Sequence, residues 1–220
     1  MNEYPVKILK IESLTHDVKR FVVEKPKGYS YLPGQFTIFY IPLPEWKNQK
    51  RTFTIASSPD SDYLEFDIKR YTPEGFTSKL HSLKTGDKLK ISSPLGRNFY
   101  TGEGIMIAAG SGITPFLSLF RHLKNKDKVG NNFLIWSNKT EKDFFLTKEI
   151  KEILGENFLF TTTRGKKKGF ESGRIDLDFL KKHIKNFDKI FYVCGSMEFI
   201  IQTRNTLMKL GVKPERIIKG

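Results

Sequence analysis

Cysteine occurs once in the 220 residues, at Cys194. A single thiol cannot build a disulfide framework within the chain or supply the several thiolates of an iron-sulfur cluster, and no metal ion is expected. Long apolar runs are missing as well, since none approaches the roughly 20 residues that a membrane-spanning helix needs. The opening stretch MNEYPVKILK lacks the basic-then-apolar layout of a secretory signal. A reducing, cytoplasmic compartment and no membrane span are the expectations that follow. Acidic residues are also in deficit: 24 Asp+Glu against 38 Lys+Arg leave a net charge of +14. Such a surface attracts polyanions or acidic proteins. The cations are scattered along the chain, with no run richer than Lys166-Lys167-Lys168.

What is present suffices for packed cores, with 38% hydrophobic and 13% aromatic residues. The texture changes near residue 101. Before it, VKILKIESL, VKRFVVEK, QFTIFYIP, RTFTIAS, YLEFDIKR and DKLKISS are short runs rich in β-branched and aromatic residues, separated by turn formers. Six such strands, with one helical stretch at Thr77 to Leu83, predict an antiparallel Greek-key β-barrel. After it, apolar strand cores alternate with helical patterns: GIMIAAG, PFLSLFRHLKN, NFLIWSN, EKDFFLTKEIKEIL, FLFTTTR, DLDFLKKHI, KIFYVCG, EFIIQTRNTLMKLG and RII. That alternation predicts a doubly wound α/β domain with a five-stranded parallel sheet and helices on both faces. The expected domains are residues 1–101 and 102–220.

Four segments carry chemistry. Gly110-Ser111-Gly112-Ile113-Thr114-Pro115 follows the first α/β strand and opens its helix. Glycines there let the backbone approach a pyrophosphate while helix amides face it, and Pro115 suits the first helical turn. By itself a Gly-x-Gly is equally a plain tight turn. Arg51-Thr52-Phe53-Thr54 heads a barrel strand, where alternation puts Arg51 and Phe53 on one face and Thr52 and Thr54 on the other. Gly75-Phe76-Thr77-Ser78 opens the barrel helix, offering hydroxyls and free amides to an anion or merely capping the helix. Cys194-Gly195-Ser196 ends the fourth α/β strand at the sheet edge where ligands bind, although a lone cysteine also serves as a small buried apolar residue. His16, His81, His122 and His183 are dispersed and read as ordinary residues.

In this order, and with Pro33-Gly34-Gln35-Phe36, Ile55 to Pro59, Ser93-Pro94-Leu95-Gly96 and Asn138 to Asp143, the chain resembles the ferredoxin-NADP reductase superfamily over essentially its whole length. The resemblance implies a barrel that binds FAD and an α/β domain that binds NAD(P)H. In that frame Arg51 meets the FAD pyrophosphate, Phe53 packs on the isoalloxazine, and Thr54 hydrogen-bonds near the reactive flavin nitrogen. Ile68, Lys69 and Arg70 line the flavin's polar chain, and Gly75, Thr77 and Ser78 take its phosphates. Gly110, Gly112, Thr114 and Pro115 carry the dinucleotide pyrophosphate, with Cys194 and Gly195 beside the nicotinamide. Thr54 and Cys194 are thus the expected catalytic positions. Departures from the family pattern are Ser196 after Cys194-Gly195, Phe199 where methionine is common, and Arg216 to Gly220 without a terminal aromatic, from which a more open flavin face is the expectation.

The implied reaction is hydride transfer from nicotinamide to flavin, then electron delivery to a separate small acidic carrier such as flavodoxin or ferredoxin, by a monomer that does not bind nucleic acid. Arg164 and Arg174, ten residues apart, resemble the arginine pair of NADPH-dependent flavodoxin reductases, with Lys139 as a third cation. That favours NADPH, while Asn138 to Asp143 also resembles the NADH-dependent cytochrome reductase branch. Two alternatives stand beside this reading. One is an NADH-dependent reductase of a cytochrome, ferric or small-molecule acceptor; the other, of a different class, is a basic barrel gripping single-stranded nucleic acid.

Overall fold

The computed structural model describes residues 2–97, 99–165 and 167–220, so Lys166 of the lysine run lies outside it. The chain divides into two compact units, Met1–Asn98 with Thr114–Asn125, and Phe99–Ile113 with Lys126–Gly220. The first unit holds the six expected strands: β1 (Glu3–Ser13), β2 (Val18–Glu24), β3 (Phe36–Tyr40), β4 (Lys50–Thr54), β5 (Tyr63–Lys69) and β6 (Lys88–Ser92). They pair antiparallel in the order β4-β3-β6-β1-β2-β5. The ends of that order meet where Ala56 N, just past β4, donates to the Glu65 carbonyl in β5 at 2.8 Å. Period-two patterning fills the interior: Val6, Ile8, Phe21, Val23, Phe39, Leu64, Phe66 and Ile91 are buried, and the first barrel helix α1 (Phe76–Ser82) adds Phe76 and Leu80.

In the second unit six parallel strands stand in the order β10-β9-β8-β7-β11-β12. They are β7 (Gly104–Ala109), β8 (Phe133–Asn138), β9 (Phe158–Thr162), β10 (Glu171–Ser172), β11 (Ile190–Cys194) and β12 (Ile217–Lys219). The expected count was five. The sixth is the two-residue edge strand β10, formed where the chain after β9 doubles back along it and Gly173 N donates to the Thr162 carbonyl. One sheet face is covered by α4 (Leu177–His183) and α5 (Met197–Lys209) through Phe179, Leu180, Ile200 and Leu207 on Ile107, Ile135 and Val193. On the other face Trp136 meets Phe144, Phe145 and Phe160 at 4.8, 5.2 and 5.9 Å between ring centroids.

That aromatic cluster explains a second departure. The stretch EKDFFLTKEIKEIL reads as one helix, yet it forms a 3₁₀ turn at Glu141–Asp143 and then α3 (Thr147–Leu154). Thr140 and Asp143 close a capping box, and the chain then extends so that Phe144 and Phe145 reach Trp136, with Leu146 forced to a left-handed φ of 53°. A third difference concerns α2 (Thr114–Asn125), which follows the Gly-x-Gly turn in sequence but groups with the barrel unit.

Inside the barrel unit four charges are buried together. Arg20 grips Asp67 with two bonds, Nε to Oδ1 at 2.8 Å and Nη2 to Oδ2 at 3.0 Å. Its Nη1 lies 3.5 Å from Glu65, whose other carboxylate oxygen accepts from Arg121 of α2. Asp67→Ala leaves the Arg20 guanidinium without its fork-shaped partner, and the expected loss is about 3 to 5 kcal/mol. Urea denaturation of wild type and variant measures it; a loss below about 1 kcal/mol would show that Arg20 is not held as described.

Candidate functional site

The parallel sheet creates the first part of the site. From β7 the chain steps outward to β8, β9 and β10, then returns to the other side of β7 as β11. Strand order therefore reverses between β7 and β11, and the loops leaving these two strands flank a crevice at their carboxyl ends. One is the turn Gly110–Ile113, a 3₁₀ turn, and the other is Cys194-Gly195-Ser196. Gly110 takes a left-handed φ of 55°, has no atom within 4 Å of where a Cβ would stand, and is held by Trp136 Nε1 donating to its carbonyl at 2.9 Å. Gly112 is glycine for another reason: a Cβ would lie 2.4 Å from the Cys194 carbonyl oxygen. The two glycines thus divide the work, one shaping an open turn and one letting that turn close onto β11.

Cys194 is half-buried there, and burial pushes its thiol up to about 11. It stays a neutral S–H at physiological pH, suited to packing beside an uncharged ring and not to nucleophilic attack. Ser196 caps α5, its hydroxyl accepting from Phe199 N at 3.2 Å.

Three of the expected cations gather at the carboxyl ends of β8 to β10. Lys139 follows β8 and accepts from Arg164 N at 2.8 Å through its carbonyl, and Gly173, bound to β9, is followed by Arg174. All three side chains are exposed, and no ion pair holds them among the described residues. Positive charge without an internal partner is what a phosphate on a ribose would need.

In the barrel unit, Arg51 and Phe53 share a face of β4 as alternation predicts. The Arg51 guanidinium lies 5.9 Å from the Phe76 ring centroid and Phe53 stacks on that ring at 6.4 Å, so both stand next to the first residue of α1. Phe53 is also anchored by Phe39 at 5.0 Å and is half-buried. Thr54, the last residue of β4, pairs with Phe36 and is half-buried; its hydroxyl has no partner among the described residues. Gly75 precedes α1 at φ 101°, with only Thr72 Oγ1 near its missing Cβ, at 3.8 Å, and Thr77 follows in the first turn. Ser78 donates to the Thr72 carbonyl.

Arg70 and Ser78 line a cavity of about 240 Å³ together with Lys19, His16, His81, Ser13, Thr15 and Ser82, and no carboxylate lines it. Burial, with Lys19 and Arg70 beside it, holds His81 below its ordinary value, so the ring is neutral and its Nε2 donates to the Ile68 carbonyl at 2.8 Å. Of Ile68, Lys69 and Arg70, Ile68 lies deepest. It is 1% exposed in the barrel core and its carbonyl is taken by His81, because β5 alternation turns it inward. Lys69 is tied to Asp17 at 2.8 Å. The cations, hydroxyls and open glycine turns fit polyphosphate ligands of the FAD and dinucleotide type.

One group of residues escaped the sequence reading. Tyr31, Ser57, Glu65, Ser118 and Arg121 form a buried polar cluster just past Thr54. Burial pushes the Tyr31 phenol up, keeping it a donor to the Ser58 carbonyl at 2.8 Å.

Comparison with known proteins agrees with this geometry. An oxidoreductase FAD-binding domain model matches residues 5–100 and an oxidoreductase NAD-binding domain model matches residues 106–205. The chain is similar to NADH-cytochrome b5 reductase 2 of Mycosarcoma maydis, 32% identical over 84% of this chain, and spans 59% of that relative's length. It is 25% identical, over 97% of its length and 69% of the relative's, to the ferredoxin reductase component of the naphthalene 1,2-dioxygenase system of Pseudomonas putida. In fold it is similar to the FAD/NAD-binding domain of a nitric oxide dioxygenase from Vibrio cholerae, with TM-score 0.87, 21% identity, and 98% and 97% of the two chains covered. No helix among the described residues is long and apolar enough to cross a membrane.

If burial governs Cys194, its thiolate at pH 8 is about a hundredfold scarcer than that of a free thiol, the effect of a two-unit rise. Iodoacetamide labelling followed against pH should accelerate about tenfold per unit up to pH 10. A rate that levels off below pH 9 would contradict a raised thiol.

Proposed function

Because the chain belongs to the ferredoxin-NADP reductase superfamily, as an FAD- and NAD-binding oxidoreductase of that family, we propose that it takes hydride from NADPH and passes the electrons through FAD to a separate small acidic carrier such as flavodoxin or ferredoxin. Residues 1–101 serve FAD in this reading and residues 102–220 serve the dinucleotide. The observation that supports it most is the close approach of Gly110–Gly112 to Cys194-Gly195 where the strand order reverses, the place where open α/β sheets take nucleotides.

Bound FAD supplies what no side chain can, accepting two electrons together as hydride and releasing them singly. Arg51 neutralises the FAD phosphates, and the backbone amides of Gly75, Thr77 and Ser78 fix them. Phe53, braced by Phe39 and Phe76, gives the isoalloxazine an apolar wall that cannot rotate away. The Thr54 hydroxyl is the donor nearest that wall in sequence. Lys69 and Arg70 meet the cofactor's polar chain. Gly110, Gly112, Thr114 and Pro115 hold the dinucleotide pyrophosphate, and Cys194 and Gly195 shape the nicotinamide's seat with a neutral thiol. No acid-base pair is needed, since orientation and exclusion of water are the protein's share.

The acidic carrier is supported by the net charge of +14, which steers an oppositely charged partner. A relative named a ferredoxin reductase component favours the same carrier. NADPH is supported by the exposed trio Lys139, Arg164 and Arg174. The second reading is NADH with a cytochrome acceptor, favoured by the relative named NADH-cytochrome b5 reductase.

An absorbance spectrum of the purified protein tests the class. Flavin bands that bleach on anaerobic addition of NADPH or NADH are expected; a colourless protein that takes up no FAD overturns the reading. Replacing Arg164 and Arg174 together by Ala should raise the KM for NADPH by about tenfold or more per lost contact and leave the KM for NADH nearly unchanged. Equal effects on both nucleotides would remove the 2'-phosphate role.

A further inference from the structure

Helix α2 carries an unusual polar stripe. Apart from the exposed Lys124 its other positions are apolar, but Thr114, Ser118, Arg121, His122 and Asn125 recur at the spacing that places them on one face. Within the barrel unit that face is bonded to the chain just beyond Thr54. Ser118 donates to the Ser57 carbonyl at 2.6 Å, Arg121 Nη1 to the Ala56 carbonyl at 2.9 Å, and Asn125 to the Ser58 hydroxyl at 3.3 Å; His122 Nδ1 lies 2.8 Å from an Asp60 carboxylate oxygen. Ala56 is held at both ends of its peptide environment, its N–H on Glu65 and its carbonyl on Arg121. Ser57 is held too, its hydroxyl accepting from Glu65 N at 3.1 Å and contacting Tyr31 at 2.8 Å.

Arg121 is largely buried, its side chain 14% exposed, and Glu65 is the carboxylate that makes this tolerable. Glu65 is in turn held by Arg20, and Arg20 by Asp67. A buried network of two arginines and two acids is a poor device for stability, because desolvation offsets the attraction. It is a good device for placing one atom group relative to another, since each member has a single satisfied arrangement. What it places is the Ala56 carbonyl, two residues and roughly 7 Å of chain from Thr54. At the other end stands Thr114, seven residues and about 10 Å along the same helix from Arg121.

We propose that Arg121, backed by Glu65, is a positioning residue that makes one rigid body of the start of α2 and the strand end bearing Thr54. Thr114 and Thr54 are assigned to the dinucleotide and to FAD in the reading above, and the inference rests on that reading. The helix opened by the dinucleotide turn is then a fixed part of the flavin-bearing strand's support, and Thr114 and Thr54 keep one separation before the nucleotide arrives.

The test uses Arg121→Met, Arg121→Lys and Ser118→Ala in the full chain loaded with FAD. Anaerobic stopped-flow reduction by NADPH and by NADH separates the limiting rate constant from the nucleotide dissociation constant. Arg121→Met should lower the limiting rate about 10- to 100-fold, the scale of an ångström-sized misplacement, with the dissociation constant changed less than about twofold. Arg121→Lys should recover part of the rate, because charge is retained but the two-way grip is lost. In the FAD-free protein, hydrogen exchange of the amides at residues 54–58 should be about tenfold faster in both Arg121→Met and Ser118→Ala. If Arg121→Met does not fold, Ser118→Ala carries the test, with a smaller fall in limiting rate and the same faster exchange. Variants that match wild type in limiting rate and in exchange overturn the positioning role. Wild-type protein that binds no FAD, or is bleached by neither nucleotide, overturns the functional reading itself, an outcome distinct from the first.

Discussion

The Glu65 carboxylate is the constraint around which the barrel unit is arranged. One oxygen faces Arg20 from β2 and the other takes Arg121 from α2, while the Glu65 backbone receives Ala56 N and donates to Ser57. A single residue on β5 thus sets the distance to a neighbouring strand, to the end of β4 that closes the barrel, and to a helix arriving from the far side of the sequence. Burying one carboxylate alone would be prohibitively costly, so the second arginine and Asp67 are requirements of the first choice and not additions to it. Apolar packing in the barrel is non-directional and would tolerate small slips; the ion network does not.

The second unit solves a different problem with different means. Its sheet edge must approach an anionic ligand closely, and here backbone replaces side chains. Gly112 removes the Cβ that would strike the Cys194 carbonyl, Trp136 fixes the Gly110 carbonyl, and the exposed cations Lys139, Arg164 and Arg174 sit farther along the strand ends. Directional donors and a snug turn are placed at the crevice, with exposed charge held farther out on the strand ends where solvent stabilises it.

Much of this was legible in the sequence, because the signals were local. Short β-branched and aromatic runs between turn formers marked all six barrel strands, strand-helix alternation marked the parallel sheet, and glycines follow β7 and β11 at the crevice. What escaped was set by distant contacts. The Glu141 to Leu154 helix broke because Phe144 and Phe145 were drawn to Trp136, and no local propensity records a partner on another strand. The inward turn of the Ile68 side chain was not read either, because a motif names a stretch, while alternation decides which of its side chains face inward. The α2 clamp did leave a trace, a hydroxyl, a guanidinium and an amide spaced along one face of a largely apolar helix. Such a stripe is the mark of a helix whose buried face meets backbone carbonyls, and it can be sought in a sequence directly.

These features converge on one requirement. A reaction whose bonds are made and broken within cofactors asks its protein for distance, angle and dryness, and each of these is a matter of rigidity. Burial keeps Cys194 neutral, and Phe53 is braced from two sides by Phe39 and Phe76. The segment after Thr54 has its carbonyls held in succession by Arg121, Ser118 and Tyr31. The buried charges that another enzyme would spend on proton transfer are used here to hold a backbone still.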